Sequence, residues 1–442
     1  MNIQTYFYQN TTSPVSERGA GIPSPTSFDH QAPEPAETVS LGGYRPVAPR
    51  CPFGFDNPES QASPGTPNFD WKDVVPTRAE QDRWNSEITD IQKTLAAGNA
   101  NLEGMDRGFH QKQLYGGLAT VKVREDIPDF LKFGPFAPDK EGHPQALQAA
   151  VRFSNGQGCP FKDSSPDVRG IAVKMAVPGE GGKAEAWDIL ATNKQTFARD
   201  PEQFMKFAKI NAVSQTWADN LPGLLGFALG QAAAGIALTA ELIESKFNGL
   251  VSLFPGRESV PRENDWDVTE SARVGAALVK DTVLYKTRSL ATEAYDGGTF
   301  KLPSGELAKI LFVPEEGAKA KKVSRKDPDY LGTELQKQLE DGPVKFTMQV
   351  KVYTGNGEPE KAHDDWEPAA VYSVADLEIP KGDSAIGDKV NSMAFNPANG
   401  FEPAYMTHAR KEIYETSAKN RGAMGQDEAL ALLAKGATDG PS

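Results

Sequence analysis

The chain has 442 residues, a formal charge of −13 and two cysteines, Cys51 and Cys159. That length allows one large or two ordinary domains, while the acidic balance without a Lys/Arg block excludes a nucleic-acid partner. Few cysteines, no Cys/His cluster that would hold zinc, and a start (MNIQTYFYQN) with no basic-then-apolar leader predict a cytoplasmic protein.

Residues 1–76 hold twelve of the 33 prolines, so no regular element runs far there. Tyr6, Tyr8, Phe28, Tyr44, Phe53, Phe55, Phe69 and Trp71 are too many aromatics for a solvated tail. The expectation is an extended arm laid on the body or on a second subunit, which leaves a homo-oligomer open. Thr77 then starts a helix. With Glu80 it makes a capping box, and Trp84, Ile88, Ile91 and Leu95 recur at helical spacing until the AAGN run near residue 98.

From about residue 117 the apolar period becomes two, at 119–123, 151–153 and 171–175, and again at Val344, Phe346, Met348, Val350 and Val352. Gly, Pro and Asp turns between such strands predict an antiparallel sheet or barrel in an α+β fold. Between them lies the apolar run LLGFALGQAAAGIALTAELI within 221–254. It is broken by Gly223, Gly226, Gly230, Gly235 and Gln231 and lacks basic flanks, so it reads as buried or cavity-lining helices rather than a membrane span. Contact with a membrane surface is the second reading. Residues 404–419 carry no internal Gly or Pro and predict a helix, with Pro403 at its start and Gly422 as its stop. The expected organisation is an arm at 1–76, a main domain at 77–430 with a helical insertion at about 213–285, and a flexible tail at 431–442.

Chemistry concentrates in a few places. On the C-terminal helix Arg410, Tyr414 and Arg421 share a stripe, the spacing an iron-bound phenolate needs: an arginine one turn earlier holds the oxygen anionic, and another two turns on meets a carboxylate of the cofactor. His30 lies in the arm, His143 and His363 in polar turns, and His408 on another face of the helix. His110 differs, because it follows Arg107, Gly108 and Phe109 just before a strand, a position from which its ring can point into a barrel interior. In the segment VRFS, Arg152 and Ser154 share one strand face with Phe153 opposite.

Taken in order, Arg107–His110, Val151–Ser154, Asp167–Lys174 (DVRGIAVK), Trp187–Asn193, Phe197–Phe204 (FARDPEQF) and Arg410–Arg421 resemble the motifs of the catalase superfamily, in particular its shorter haem-binding members. The resemblance implies an antiparallel β-barrel with flanking helices and haem b, as ferric iron, between them. It also implies site roles. Tyr414 would bind the metal with Arg410 as its partner, and Arg107, Arg152 and Arg421 would face the propionates. His110 would be the distal acid–base group oriented by Ser154, Asn193 the distal amide, and Phe197 and Phe204 pocket walls. The stretch between Asp188 and Arg199 is one residue short of the family pattern, so Thr192 is the alternative to Asn193. Phe109 stands where a small aliphatic residue is usual. The implied function is cleavage of a peroxide O–O bond, as a peroxidase or weak catalase acting on a small peroxide or hydroperoxide. The alternatives are a fatty-acid hydroperoxide isomerase or lyase and a non-enzymatic haem-binding protein.

Overall fold

A computed structural model describes residues 72–98, 104–193 and 287–438, apart from 166, 356, 361–365, 367–368 and 383–385, together with scattered positions between 198 and 212. The expected arm (except residues 72–76) and the whole insertion at about 213–285, with the apolar run at 221–254, lie outside them.

Among the described residues ten antiparallel strands follow one another: β1 (Gln113–Val123), β2 (Ala146–Asn155), β3 (Arg169–Pro178), β4 (Ala184–Thr192), β5 (Tyr295–Gly297), β6 (Phe300–Lys301), β7 (Leu307–Pro314), β8 (Val344–Val352), β9 (Ala370–Ile379) and β10 (Glu402–Pro403). Their order is β10-β6-β7-β5-β4-β3-β2-β1-β9-β8, and β7 also pairs with β8. That last pairing closes eight strands into a barrel, which leaves no free edge on the ring. The α+β barrel expected from the sequence is therefore the observed fold.

Alternation along each strand decides what fills the barrel. Phe153, Tyr295 and Phe346, from non-adjacent strands β2, β5 and β8, bring their ring centroids within 5.8–6.2 Å of one another. Only the barrel interior allows that meeting. Each is almost fully buried, and burial of such a ring is worth roughly 1.5–3 kcal/mol. The alternate positions, Arg152, Ser154, Gly170, Lys174, Asp188 and Thr192, lie on the outer face.

Five helices are described: α1 (Arg78–Gly98), α2 (Tyr330–Asp341), α3 (Gly387–Ser392), α4 (Met406–Asn420) and α5 (Gln426–Thr438). The capping box of α1 forms as expected, with Thr77 N donating to Glu80 Oε2 at 2.8 Å and Glu80 N to Thr77 Oγ1 at 3.3 Å. Its stripe of Trp84, Ile88, Ile91 and Leu95 packs with Ala409 and Ile413 of α4. The tail expected at 431–442 is corrected for its first part, since α5 continues to Thr438 with Ala429 and Leu433 buried beside Ala150, Val390 and Met393. Among the described residues no helix is long and apolar enough to cross a membrane.

α4 ends in a Schellman motif. Gly422 takes φ +61, its N–H reaches Lys419 O at 3.2 Å, and Ala423 N reaches Ala418 O at 3.0 Å. The cap leaves Arg421 at the C-cap, turned toward the residues that follow α3.

Candidate active site

His110 sits outside the barrel, not within it. It occupies the left-handed region at φ 54, a conformation that costs a non-glycine residue about 1–3 kcal/mol. Two bonds hold that backbone: His110 N donates to Gly156 O at 2.9 Å, and Arg152 Nη2 donates to His110 O at 2.8 Å. The ring lies against Gly170 on the outer face of β3, where a Cβ would stand 2.6 Å from Cε1 and 2.7 Å from Nδ1. Ser154 Oγ meets Nδ1 at 3.0 Å. The loop before β1 crosses to the outer face, so the expectation that this ring points inward fails. Burial, and then the charges of Arg152, Arg410 and Arg107, push the imidazole down to about 3, so it is neutral at physiological pH.

Arg107, Arg152 and Arg421 converge on the end of α3. Arg107 Nη1 and Arg152 Nε both donate to Asn391 Oδ1 at 3.2 Å. Arg107 Nη2 and Arg421 Nη2 both donate to Met393 O, at 3.1 and 2.7 Å. The carboxylate nearest Arg107 is Asp106, at 4.0 Å. Burial lowers all three guanidinium groups, and neighbouring arginines add to this for Arg107 and Arg152, taking Arg152 to about 9 and Arg107 well below its ordinary value. Three half-buried or buried cations held by carbonyl dipoles, with a single carboxylate among the described residues at the edge of ion-pair range, suit a ligand that brings two carboxylates of its own. The sequence order alone did not reveal Asn391 as the hub that joins them.

On α4, Arg410 Nη2 donates to Tyr414 Oη at 3.1 Å, and the guanidinium carbon lies 5.2 Å from the ring centroid. Arg410 passes over Gly298, where a Cβ would come within 2.9 Å of Nη1. Its charge reaches His110, so the imidazole and the phenol–arginine pair belong to one electrostatic environment. Tyr414 also borders a cavity of about 360 Å³ lined by Phe395, Asn396, Glu415, Ala418 and Met424 among others. His408 turns away, as expected, with Nε2 2.8 Å from Asp73 Oδ2.

Asn193 is engaged on both sides of its amide. Oδ1 accepts from Arg169 N at 2.7 Å, and Nδ2 donates to Glu293 Oε2 at 2.9 Å and to Thr287 Oγ1 at 3.4 Å. Phe204 packs on Phe109, with ring centroids 5.1 Å apart, inside the apolar cluster shared by α1 and α4. Phe197 lies outside the described residues.

A second network ties the barrel to α4. Lys174 and Asp188, both fully buried on the outer face, pair at 2.7 and 2.8 Å. Asp188 also accepts from Asn396 N at 2.9 Å and from Asn399 Nδ2 at 2.6 Å, and Asn396 Nδ2 donates to Lys411 O at 3.0 Å, one turn before Tyr414.

No protein-family model matches the chain. A curated relative, "Catalase-related peroxidase" of Mycolicibacterium paratuberculosis (strain ATCC BAA-968 / K-10), is 25% identical over 296 residues, covering 64% of this chain and 80% of its own length. A fungal catalase solved at 1.9 Å shares 14% identity with a TM-score of 0.48 over 75% of this chain, and the chain spans 62% of that enzyme's length. In its ordered motifs and in the mycobacterial relative, the chain is similar to members of the catalase superfamily.

Proposed function

We propose that the chain is a haem-dependent oxidoreductase that cleaves the O–O bond of a peroxide, acting as a peroxidase or a weak catalase. The observation that carries this reading is the Arg410–Tyr414 hydrogen bond on α4, in the same electrostatic environment as a neutral His110. The curated relative, named for a peroxidase, supports it. The donor set fits haem. The arginine trio with its single nearby carboxylate would hold two propionates, and Tyr414 would supply an oxygen ligand to ferric iron. An oxygen ligand of this kind stabilises the ferric state.

Haem, when bound, supplies the electrons for breaking the O–O bond and recovers them from a reducing substrate or a second peroxide. In balance, ROOH with two protons and two electrons gives ROH and water. His110 handles the proton. With Nδ1–H donated to Ser154 Oγ, Nε2 presents a lone pair that takes the peroxide proton and returns it to the departing oxygen. A polar side chain at the end of β4, Asn193 or Thr192, completes the distal wall, and Phe109 with Phe204 excludes water beside it.

Reconstitution with hemin tests the reading. Wild-type protein is expected to give a high-spin ferric spectrum, and Tyr414→Phe to lose most of the haem or shift that spectrum. An unchanged spectrum and haem content in Tyr414→Phe would refute the assignment. Oxygen release from hydrogen peroxide, against oxidation of an added phenol, separates catalase from peroxidase. Consumption of a fatty-acid hydroperoxide without a reductant would move the reading to an isomerase or lyase.

A further inference from the structure

The seat of His110 is built in two layers. In the first, residues 110–112 run against 155–157. His110 N donates to Gly156 O at 2.9 Å, Gln111 N to Gln157 O at 3.1 Å, and Asn155 N to Lys112 O at 3.1 Å. In the second, the residues just before β3 take up the N–H groups of that same segment. Gly156 N donates to Val168 O at 2.9 Å, and Gln157 N donates to Asp167 Oδ2 at 3.3 Å. Asp167 Oδ1 lies against Gly156, where a Cβ would stand 3.0 Å from it. The Asp167 side chain is 4% exposed. Among the described residues the charged group that faces it is Arg169 on β3, with Nη1 3.9 Å away and donating to Asn155 Oδ1; residues 155–157 carry no charge. Backbone N–H groups therefore hold the carboxylate, and burial pushes it up to about 6.

We propose that Asp167 is a positioning residue for His110: its ionised carboxylate braces the Gly156–Gln157 segment that holds the strained backbone of the histidine, and loss of that charge lets the seat relax. Hydrogen bonds to an ionised acceptor are roughly twice as strong as neutral ones, so protonation weakens the brace without removing it. The ring of His110, neutral down to about 3, supplies no acid limb near neutrality; Asp167 supplies one. This inference rests on the haem peroxidase reading above, which gives His110 its work.

The test has a spectroscopic and a kinetic arm. Full-length protein, isotope-labelled at histidine nitrogen and free of hemin, shows the backbone amides of five histidines, and the signal missing from His110→Gln is that of His110. Its shift is expected to move with a midpoint at about pH 6 in wild type and to stay put over the same range in Asp167→Asn, which keeps an acceptor and cannot ionise. In the haem-loaded protein, peroxide kcat/KM is expected to fall about tenfold from pH 8 to 5, the scale of one weakened bond to a charged group, and Asp167→Asn is expected to lose that limb. Should Asp167→Asn fail to fold, Asp167→Glu takes its place, with a displaced midpoint expected. A His110 amide that stays still in wild type, or that titrates identically in the variant, would overturn the inference. Failure of wild type to take up hemin, read from a missing Soret band, would instead overturn the parent reading, while the amide titration reads the Asp167 brace by itself.

Discussion

Gly170→Ala isolates the seat of His110 from everything else in the site. A Cβ at this position would stand 2.6 Å from the ring's Cε1, 2.7 Å from Nδ1 and 3.2 Å from Ser154 Oγ. Carbon atoms pack without repulsion at about 3.5–4.0 Å, so the imidazole must retreat by about 1 Å. It cannot do so freely, because its backbone is pinned by Gly156 and Arg152 and its Nδ1 by Ser154. A misplacement of that size costs about 10²-fold in a reaction that depends on a positioned base. Forcing one methyl into a packed contact costs about 1–3 kcal/mol of stability. Gly170 is an ordinary strand residue with no positive φ, so alanine brings no backbone penalty. The expected result is near-normal haem uptake, since the arginine trio and Tyr414 are untouched, with peroxide turnover down about 100-fold. Stopped-flow turnover and the ferric spectrum measure the two separately. Wild-type turnover in Gly170→Ala would show that the imidazole over Gly170 is not the working group.

His110→Ala should keep haem while slowing peroxide cleavage by about 10²-fold or more, the contribution of a positioned acid–base group; an unchanged rate removes it from the mechanism. Because the folded imidazole is held at about 3 against an ordinary 6.5, no His110 titration should enter the activity profile between pH 5 and 8. The unfolded chain takes up the proton first, so this residue drains stability as pH falls from about 6.5 toward 3. Urea midpoints at pH 7 and 4.5 should therefore lie closer together in His110→Gln than in wild type, and an equal gap would contradict the assignment. Lys174→Met strips the cation from a fully buried carboxylate and should cost about 3–5 kcal/mol. Adding Asp188→Asn should recover part of that loss in denaturant melts, whereas simple additivity of the two costs would mean that the pair is not coupled.

The local signals in the sequence were the most legible. The Thr77–Glu80 capping box, the Trp84–Leu95 stripe and the Gly422 stop each depend on residues within a turn or two. The alternation at 344–352 gave β8 almost to the residue, because both faces of that strand differ sharply. Strand β4 was legible only as a motif, since Asp188 interrupts its apolar pattern to pair with Lys174. The β7–β8 closure joins segments that no short-range pattern connects. Residues 431–438, the second part of α5, were read as tail, although Ala429 and Leu433, one turn apart, were the available sign of a buried face. His110 was placed on the wrong side of the sheet because alternation fixes a face only inside a strand, and its loop turns through positive φ just before β1. The convergence of three arginines on Asn391 and Met393 follows from tertiary packing, which their spacing in the chain does not encode.

The ring stack of Phe153, Tyr295 and Phe346 fills the cylinder, so the groups we propose to react are mounted on its exterior and roofed by helices joined through Asn391, Asn396 and the α4 cap. Such a chamber has one wall of hydrogen-bonded sheet and another of docked helix. Peeling the helical wall away would release the haem we propose while the cylinder stayed intact, making loss of colour and loss of β-structure two separate thermal events.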